Sequence, residues 1–200
     1  MKSAFAIVGS LAICFLSVAP GARSQTRSQN SKQTYNDPEG YEVLSVLLNR
    51  LSDARKNDTI RIDPRSARGT TVAEIKTQCS GVPDEFRSAW NDLDKKLELR
   101  MVWQRNFTLT KPYEVAYATP LPPLGKPESR EEAHKRIRSG TYYLAPAGFN
   151  ENRTRAVAFV EYLCGSLCGD SIFYFLRKSD KGWQEAPEVQ RQVQRCGRIY

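Results

Sequence analysis

The chain has 200 residues, 40% hydrophobic and 26% charged, with a formal net charge of +8. That size suits one domain, or one domain with an N-terminal arm, with enough apolar material for a core. Only the first two dozen residues form a long apolar run, which excludes a multi-span membrane protein and leaves a soluble body.

Residues 1–24 have the layout of a cleavable secretory signal. Lys2 supplies the positive start, and Ala4 to Val18 is apolar apart from Gly9, Ser10 and Ser17. Pro20-Gly21 breaks any helix, and Ala22-Arg23-Ser24 offers small residues where a signal peptidase reads. The run is shorter than the ~20 residues that span a bilayer, so no stable membrane span is expected. Ile13 precedes Cys14 where a lipoprotein signal needs a small residue, which argues against a lipid anchor. Removing residues 1–24 takes away Lys2 and Arg23 and no acid, leaving +6. A basic exported protein attracts polyanions at long range. Its cations, among them Arg65, Arg68, Lys95, Lys96, Lys135 and Arg136, are nevertheless scattered among acids. That is the pattern of a solvated surface, and no specific nucleic-acid partner is expected.

Residues 25–36, QTRSQNSKQTYN, are polar and read as a disordered leader ahead of a single α+β domain over 37–200. Asp37-Pro38 opens a helix, as N-cap and first-turn proline. Tyr41, Leu44, Leu47, Leu48 and Leu51 follow at spacings of three and four, on one face. Asn57-Asp58 is a turn, and Thr59-Ile60-Arg61-Ile62 alternates like a half-buried strand. Residues 63–71 are loop-like, and 71–78 are ambiguous between helix and strand. A second helix starts near Pro83-Asp84-Glu85 and carries the stripe Phe86, Trp90, Leu93, Leu97, with Trp90 as a core anchor.

Residues 100–118 look extended, interrupted by Pro112. A proline-rich connector, TPLPPLGKP, fills 119–127, and a charged helix spans Ser129 to Arg138. Then Thr141–Ala147, Arg155–Leu163 and Ser171–Lys178, rich in aromatic and β-branched residues and joined by short turns, form an antiparallel meander. The fold class is therefore α+β: a C-terminal β-meander covered by two or three N-terminal helices.

Beyond Cys14 the cysteines are Cys79, Cys164, Cys168 and Cys196. Four cysteines in an exported chain suggest two disulfides, in one of three connectivities. A Cys164–Cys168 bridge needs a compact turn, because bonded Cα atoms lie within about 7 Å, and the flanking glycines permit one. Cys79–Cys196 would then staple the middle of the chain to its end. Two other readings stay open. A thiol redox centre usually has two intervening residues at a helix start, whereas three intervene here between strands. A metal site wants more ligands nearby, and His134 is the one histidine in the chain. No metal and no cofactor is expected.

Gly148-Phe149-Asn150, Ala156-Val157-Ala158-Phe159-Val160, Cys164-Gly165-Ser166-Leu167-Cys168-Gly169 and the run from Lys178 to Trp183 together carry a pattern. It is similar to uncharacterised exported bacterial proteins with a GFN…AxxYV…CGxLCG…LxKxxxGW core. The resemblance extends over roughly 41–196, with Phe159 where tyrosine is common and Asp170-Ser171 where glycines often follow. It implies a fold and an exported location, periplasmic or extracellular, and carries over no catalytic residue. Sequons at Asn57, Asn106 and Asn152 matter only in a eukaryotic secretory route, and the resemblance points to bacteria.

Chemistry is thinly signalled. There is no G-x-S-x-G elbow, phosphate loop or H-E-x-x-H. His134 reads as a solvent-facing helix residue, and catalytic residues are unknown. Glu161 and Asp170 are the acids that a hydrolase site assembled in three dimensions would use, with an outward strand residue and a turn residue as their plainer roles. Cys164 and Cys168 are the residues a thiol–disulfide protein would use. Aromatic residues cluster in the meander, where alternation sends Phe173 and Phe175 to one face and Ile172, Tyr174 and Leu176 to the other. If one face stays uncovered, Phe173, Phe175, Tyr162 and Trp183 become a candidate binding face, with Arg153, Arg155 and Arg177 nearby, for an envelope glycan or protein. The expectation is a non-enzymatic exported binding or interaction domain whose partner is unknown.

Overall fold

The structure is a computed structural model that describes residues 33–67, 69–118, 129–165, 168–193 and 196–199. The signal at 1–24, the leader up to residue 32 and the connector at 119–127 lie outside the described residues. In chain order the elements are β1 (Gln33–Thr34), α1 (Pro38–Arg55), β2 (Ile60–Ile62), α2 (Gly69–Gln78), α3 (Asp84–Leu97), β3 (Met101–Val102) and β4 (Tyr113–Val115). They continue with α4 (Arg130–Arg138), β5 (Thr141–Leu144), β6 (Gly148–Phe149), β7 (Arg155–Gly165), β8 (Cys168–Ser179), β9 (Gly182–Glu185), α5 (Pro187–Gln192) and β10 (Gly197–Ile199).

The α+β reading holds. Strands β5, β7 and β8 pair antiparallel in succession, with Tyr142 opposite Tyr162 and Phe159 opposite Phe173. Hairpin strands β6 and β9 flank them. The sheet is larger than the meander. Its order is β10-β8-β7-β5-β2-β4, with β2 parallel to both β5 and β4. The ambiguous segment at 71–78 is helical, within α2.

Helices cover both faces, because both are apolar. On one face the buried stripe of α1, including Leu44, Leu47, Leu48 and Leu51, packs on Ile60, Ile62, Ala158, Val160, Tyr174 and Leu176. On the other, Val72 and Ile75 of α2, Phe86, Ala89 and Leu93 of α3, and Val189 of α5 cover Val157, Phe159, Phe173 and Phe175. Trp90 anchors this second core, its ring centroid 4.8 Å from that of Phe173. Helix α1 is capped as its sequence requires. Asp37 accepts from the Gly40 N–H, and Lys56 closes the helix in the left-handed region at φ 55°.

At residues 33–36 the segment read as a disordered leader is built into the fold. Gln33 and Thr34 pair parallel with Met101 and Val102, and Tyr35 is 3% exposed, its ring 4.6 Å from that of Trp103. Averaged composition hid one aromatic residue that inserts into the core. Gly40 makes room for it: a Cβ there would lie 1.8 Å from the Tyr35 hydroxyl.

Candidate functional site

The two acids singled out from sequence do not meet. Glu161 sits opposite Ser171 and Tyr162 sits opposite Asp170, so successive alternation directs the two carboxylates to opposite faces of the sheet. Glu161 is 9% exposed and accepts from Ser171 Oγ at 3.0 Å. Asp170 accepts from Arg55 Nη2 at 2.7 and 2.5 Å. The Arg55 guanidinium lies 4.5 Å above the Tyr162 ring. A pair of carboxylates flanking one scissile bond is therefore not assembled from these residues.

The candidate binding face is interior. Phe173 is 0% exposed, Phe175 and Tyr162 1%, and Trp183 3%. Both sides of the sheet are covered: α2, α3 and α5 close over the phenylalanines, while Tyr162 and Trp183 belong to the core beneath α1. The nearby arginines are engaged as well. Arg153 pairs with Asp37 at 2.7 Å and also with Glu39. Arg155 and Arg177 share Glu85 at 2.7 and 2.5 Å.

The cysteines fall into two pairs at disulfide distance, Cys79 with Cys196 and Cys164 with Cys168. Their Cα separations are 4.4 and 5.1 Å, inside the bonded range. The first ties the end of α2 to the start of β10, and the second clasps the β7–β8 hairpin.

The residues of the GFN segment hold the fold together. A Cβ on Gly148 would lie 2.2 Å from the Ala89 carbonyl oxygen and 2.4 Å from the Leu93 nitrogen, so α3 rests directly on β6. The Phe149 ring packs on Trp183 and has the Arg153 guanidinium 4.0 Å from its centroid. Asn150 Oδ1 accepts from the Thr154 and Arg155 N–H groups at 2.8 Å each and shapes the turn into β7.

Two open depressions lie on the described surface. One, of about 870 Å³, runs between α3 and the β6–β7 turn, and much of its charge is paired internally: Arg153 with Asp37, Lys96 with Asp92, Arg87 with Asp84. The other, of about 880 Å³, lies between α4 and the α1–β2 turn, lined by Asp58, Arg61, Glu131, His134, Arg138 and Ser139 among others. Glu131, His134 and Arg138 stand on its α4 wall at helical spacings of three and four. His134 is exposed there, as expected of a solvent-facing residue. This cleft offers hydroxyl, carboxylate, imidazole and guanidinium groups to a polar ligand.

Its foundation rests on Asn57, which the sequence offers as a turn residue and a sequon. Asn57 is 2% exposed, and its Nδ2 donates to the Arg138 carbonyl at 2.6 Å and to Tyr162 Oη at 2.9 Å. The Tyr142 hydroxyl donates to Asn57 Oδ1 at 2.9 Å, and Tyr162 Oη in turn accepts from Gly140 N–H and donates to the Ile137 carbonyl. The end of α4 is thereby pinned to the sheet. Burial drives the hydroxyl pKa values of Tyr142 and Tyr162 upward, so both stay protonated and able to donate.

Among the described residues no helix is long and apolar enough to cross a membrane, and no group of three or more His, Cys, Asp or Glu side chains is placed to hold a metal ion. No family model, curated protein or solved structure matches the chain.

Proposed function

We propose that this chain is an exported, disulfide-stapled domain of the bacterial envelope that acts by binding a partner rather than by catalysis. One observation carries the reading: the side chains with most reactive potential on sequence grounds are committed to holding the fold. Glu161 is tied to Ser171, Asp170 to Arg55, and the four cysteines beyond Cys14 to one another. Export is supported by the signal-like start, by paired cysteines that persist in an oxidising compartment, and by the resemblance to exported bacterial proteins.

The test is the intact mass of the protein recovered from the periplasm, before and after alkylation under denaturing, non-reducing conditions. The expected product begins near residue 25, takes up no alkylating agent, and yields linked Cys79–Cys196 and Cys164–Cys168 peptides. An unprocessed chain held in the cytoplasm would overturn the export reading. Ready alkylation of Cys164 and Cys168 in the recovered protein would put thiol chemistry in its place.

A further inference from the structure

Residues 33–35 occupy a site that is built largely without them. On one side β3 is held by the segment after β2: Ser66 N–H donates to the Met101 carbonyl at 3.0 Å, and Trp103 N–H donates to the Pro64 carbonyl at 2.8 Å. Its other side takes β1, with Gln33 N–H donating to the Arg100 carbonyl and Tyr35 N–H to the Val102 carbonyl, both at 3.0 Å. Beside that edge the rings of Tyr41, Trp103 and Phe107 pack on one another, with centroids 4.8 to 6.1 Å apart, and form an aromatic box. The Tyr41 hydroxyl is aimed by Gln104 N–H, from which it accepts at 2.9 Å, and it donates to the Tyr35 carbonyl at 3.2 Å.

The segment seated there fits imperfectly. Strands β1 and β3 make a two-stranded sheet of their own, so β1 can leave without breaking a pair in the eight-stranded sheet. The Tyr35 ring fills the box, 4.6 Å from Trp103 and 5.3 Å from Tyr41. Its hydroxyl is nevertheless buried without a partner in hydrogen-bonding geometry, although the Ala147 backbone lies near it, and Trp103 Nε1 is likewise unpartnered. A buried hydroxyl left unpaired carries its full desolvation penalty, which weakens the hold of the box on this occupant. The edge itself, fixed from its far side, is preorganised for whatever strand lies on it.

We propose that the β3 edge and its aromatic box are a strand-addition site for an extended polypeptide segment of a partner protein, one that carries an aromatic side chain, and that residues 33–35 are its displaceable self-ligand. The proposal rests on the binding reading above and names the partner class. The hydrogen bonds from Arg100, Val102 and Tyr41 all go to main-chain groups of the seated segment, a ladder that a polypeptide satisfies. Specificity falls on one side chain, an aromatic ring two residues after the first paired N–H. Tyr35 is the residue the box takes, whereas Gln33 is exposed and Thr34 half-buried. A phenylalanine, with no hydroxyl to leave unpaired, suits the box better than this chain's own tyrosine.

The experiment is fluorescence anisotropy with labelled peptides of residues 29–36, titrated with the processed protein and with two variants that loosen its own segment. Tyr35→Ala empties the box. Gln33→Pro removes the N–H that bonds Arg100 and leaves the core rings in place, so it carries the test even where the Tyr35→Ala cavity prevents folding. Both variants should capture the peptide at least about tenfold more tightly than the parent, whose own segment competes for the edge. A Tyr35→Phe peptide should bind about fivefold tighter than the natural one, and a Tyr35→Ala peptide at least about tenfold weaker. Absence of capture by Gln33→Pro protein with an unchanged circular dichroism spectrum overturns the proposal, as does equal binding of the phenylalanine and alanine peptides. A parent protein that is dimeric by light scattering and becomes monomeric in Gln33→Pro also overturns it, since the edge then takes the same segment of a second copy. An exported, disulfide-linked protein that captures no peptide loses this site and keeps the binding reading.

Discussion

The two cysteine pairs should differ sharply in what they contribute to stability. Cys79 and Cys196 are 117 residues apart, and Cys164 and Cys168 are 4 apart. In the chain-entropy description a cross-link stabilises by restricting the unfolded chain, more for a longer loop. It gives about 5 kcal/mol for the long closure and about 2 kcal/mol for the short one. The hairpin is also held without its clasp, by continuous pairing from Arg155 opposite Arg177 to Leu163 opposite Gly169. Replacing each pair by serines buries comparable hydroxyls, because each pair has one deeply buried member, Cys196 at 5% and Cys164 at 3% exposure. Urea unfolding followed by circular dichroism should therefore show the Cys79→Ser/Cys196→Ser protein about 3 kcal/mol less stable than the Cys164→Ser/Cys168→Ser protein. In thermal melts, at roughly 2–4 °C per kcal/mol for a chain of this size, the two midpoints should differ by about 6–12 °C. Equal losses, or a larger loss from the hairpin pair, would refute the argument that loop length governs here.

Gly148→Ala should cost about 3 kcal/mol, the upper end of the usual overpacking range, since its new methyl meets the α3 backbone rather than a flexible side chain. A urea midpoint within 0.5 kcal/mol of the parent would show that α3 can move away freely. Tyr162→Phe strips the Gly140 N–H and Asn57 Nδ2 of their shared acceptor, at a cost of about 1–3 kcal/mol. Amide exchange at Gly140 should rise well above that of the β7–β8 ladder, and unchanged protection there would contradict the network. Acid should destabilise the protein through Glu39. Burial pushes its carboxyl pKa up, but Lys178 and Arg153 outweigh this and hold it below the ordinary carboxylate range. A depressed folded pKa means stability present above the unfolded value of about 4 and lost as pH falls through the folded one. The urea midpoint should therefore hold steady from neutral pH to about pH 5 and drop below about pH 4. Glu39→Gln should be less stable at pH 7 and flatter in acid; an acid decline as steep as the parent's would exclude Glu39 as a contributor.

Local chemistry was enough to read much of this architecture. Leucines at three and four residue spacings after an Asp-Pro cap can only bury one helical stripe, and α1 forms where they predict it. Alternation along residues 171–178 separates Phe173 and Phe175 from Tyr174 and Leu176 because a pleated strand has two sides, and the two cores divide along that line. Other features depend on partners distant in the chain. Nothing in Ile60-Arg61-Ile62 announces parallel neighbours on both sides, since a parallel partner comes from beyond a crossover. Asp63-Pro64-Arg65 does carry a turn signature, but nothing in it announces that the Asp63 side chain is buried with four N–H donors.

What the amino-acid sequence determined by itself was the apolar side of each element, the turns between them and a cysteine set able to bridge, because propensity and periodicity act over a few residues. Tertiary structure alone decided what lies over each apolar side. It turned a candidate binding face into interior, sent Glu161 and Asp170 to opposite sides of the sheet, and chose one of three cysteine pairings. It also buried Asn57 and Asp63 as anchors. Exposure and pairing are set by which distant surfaces meet, and one strand's pattern is the same whether a helix or water covers it.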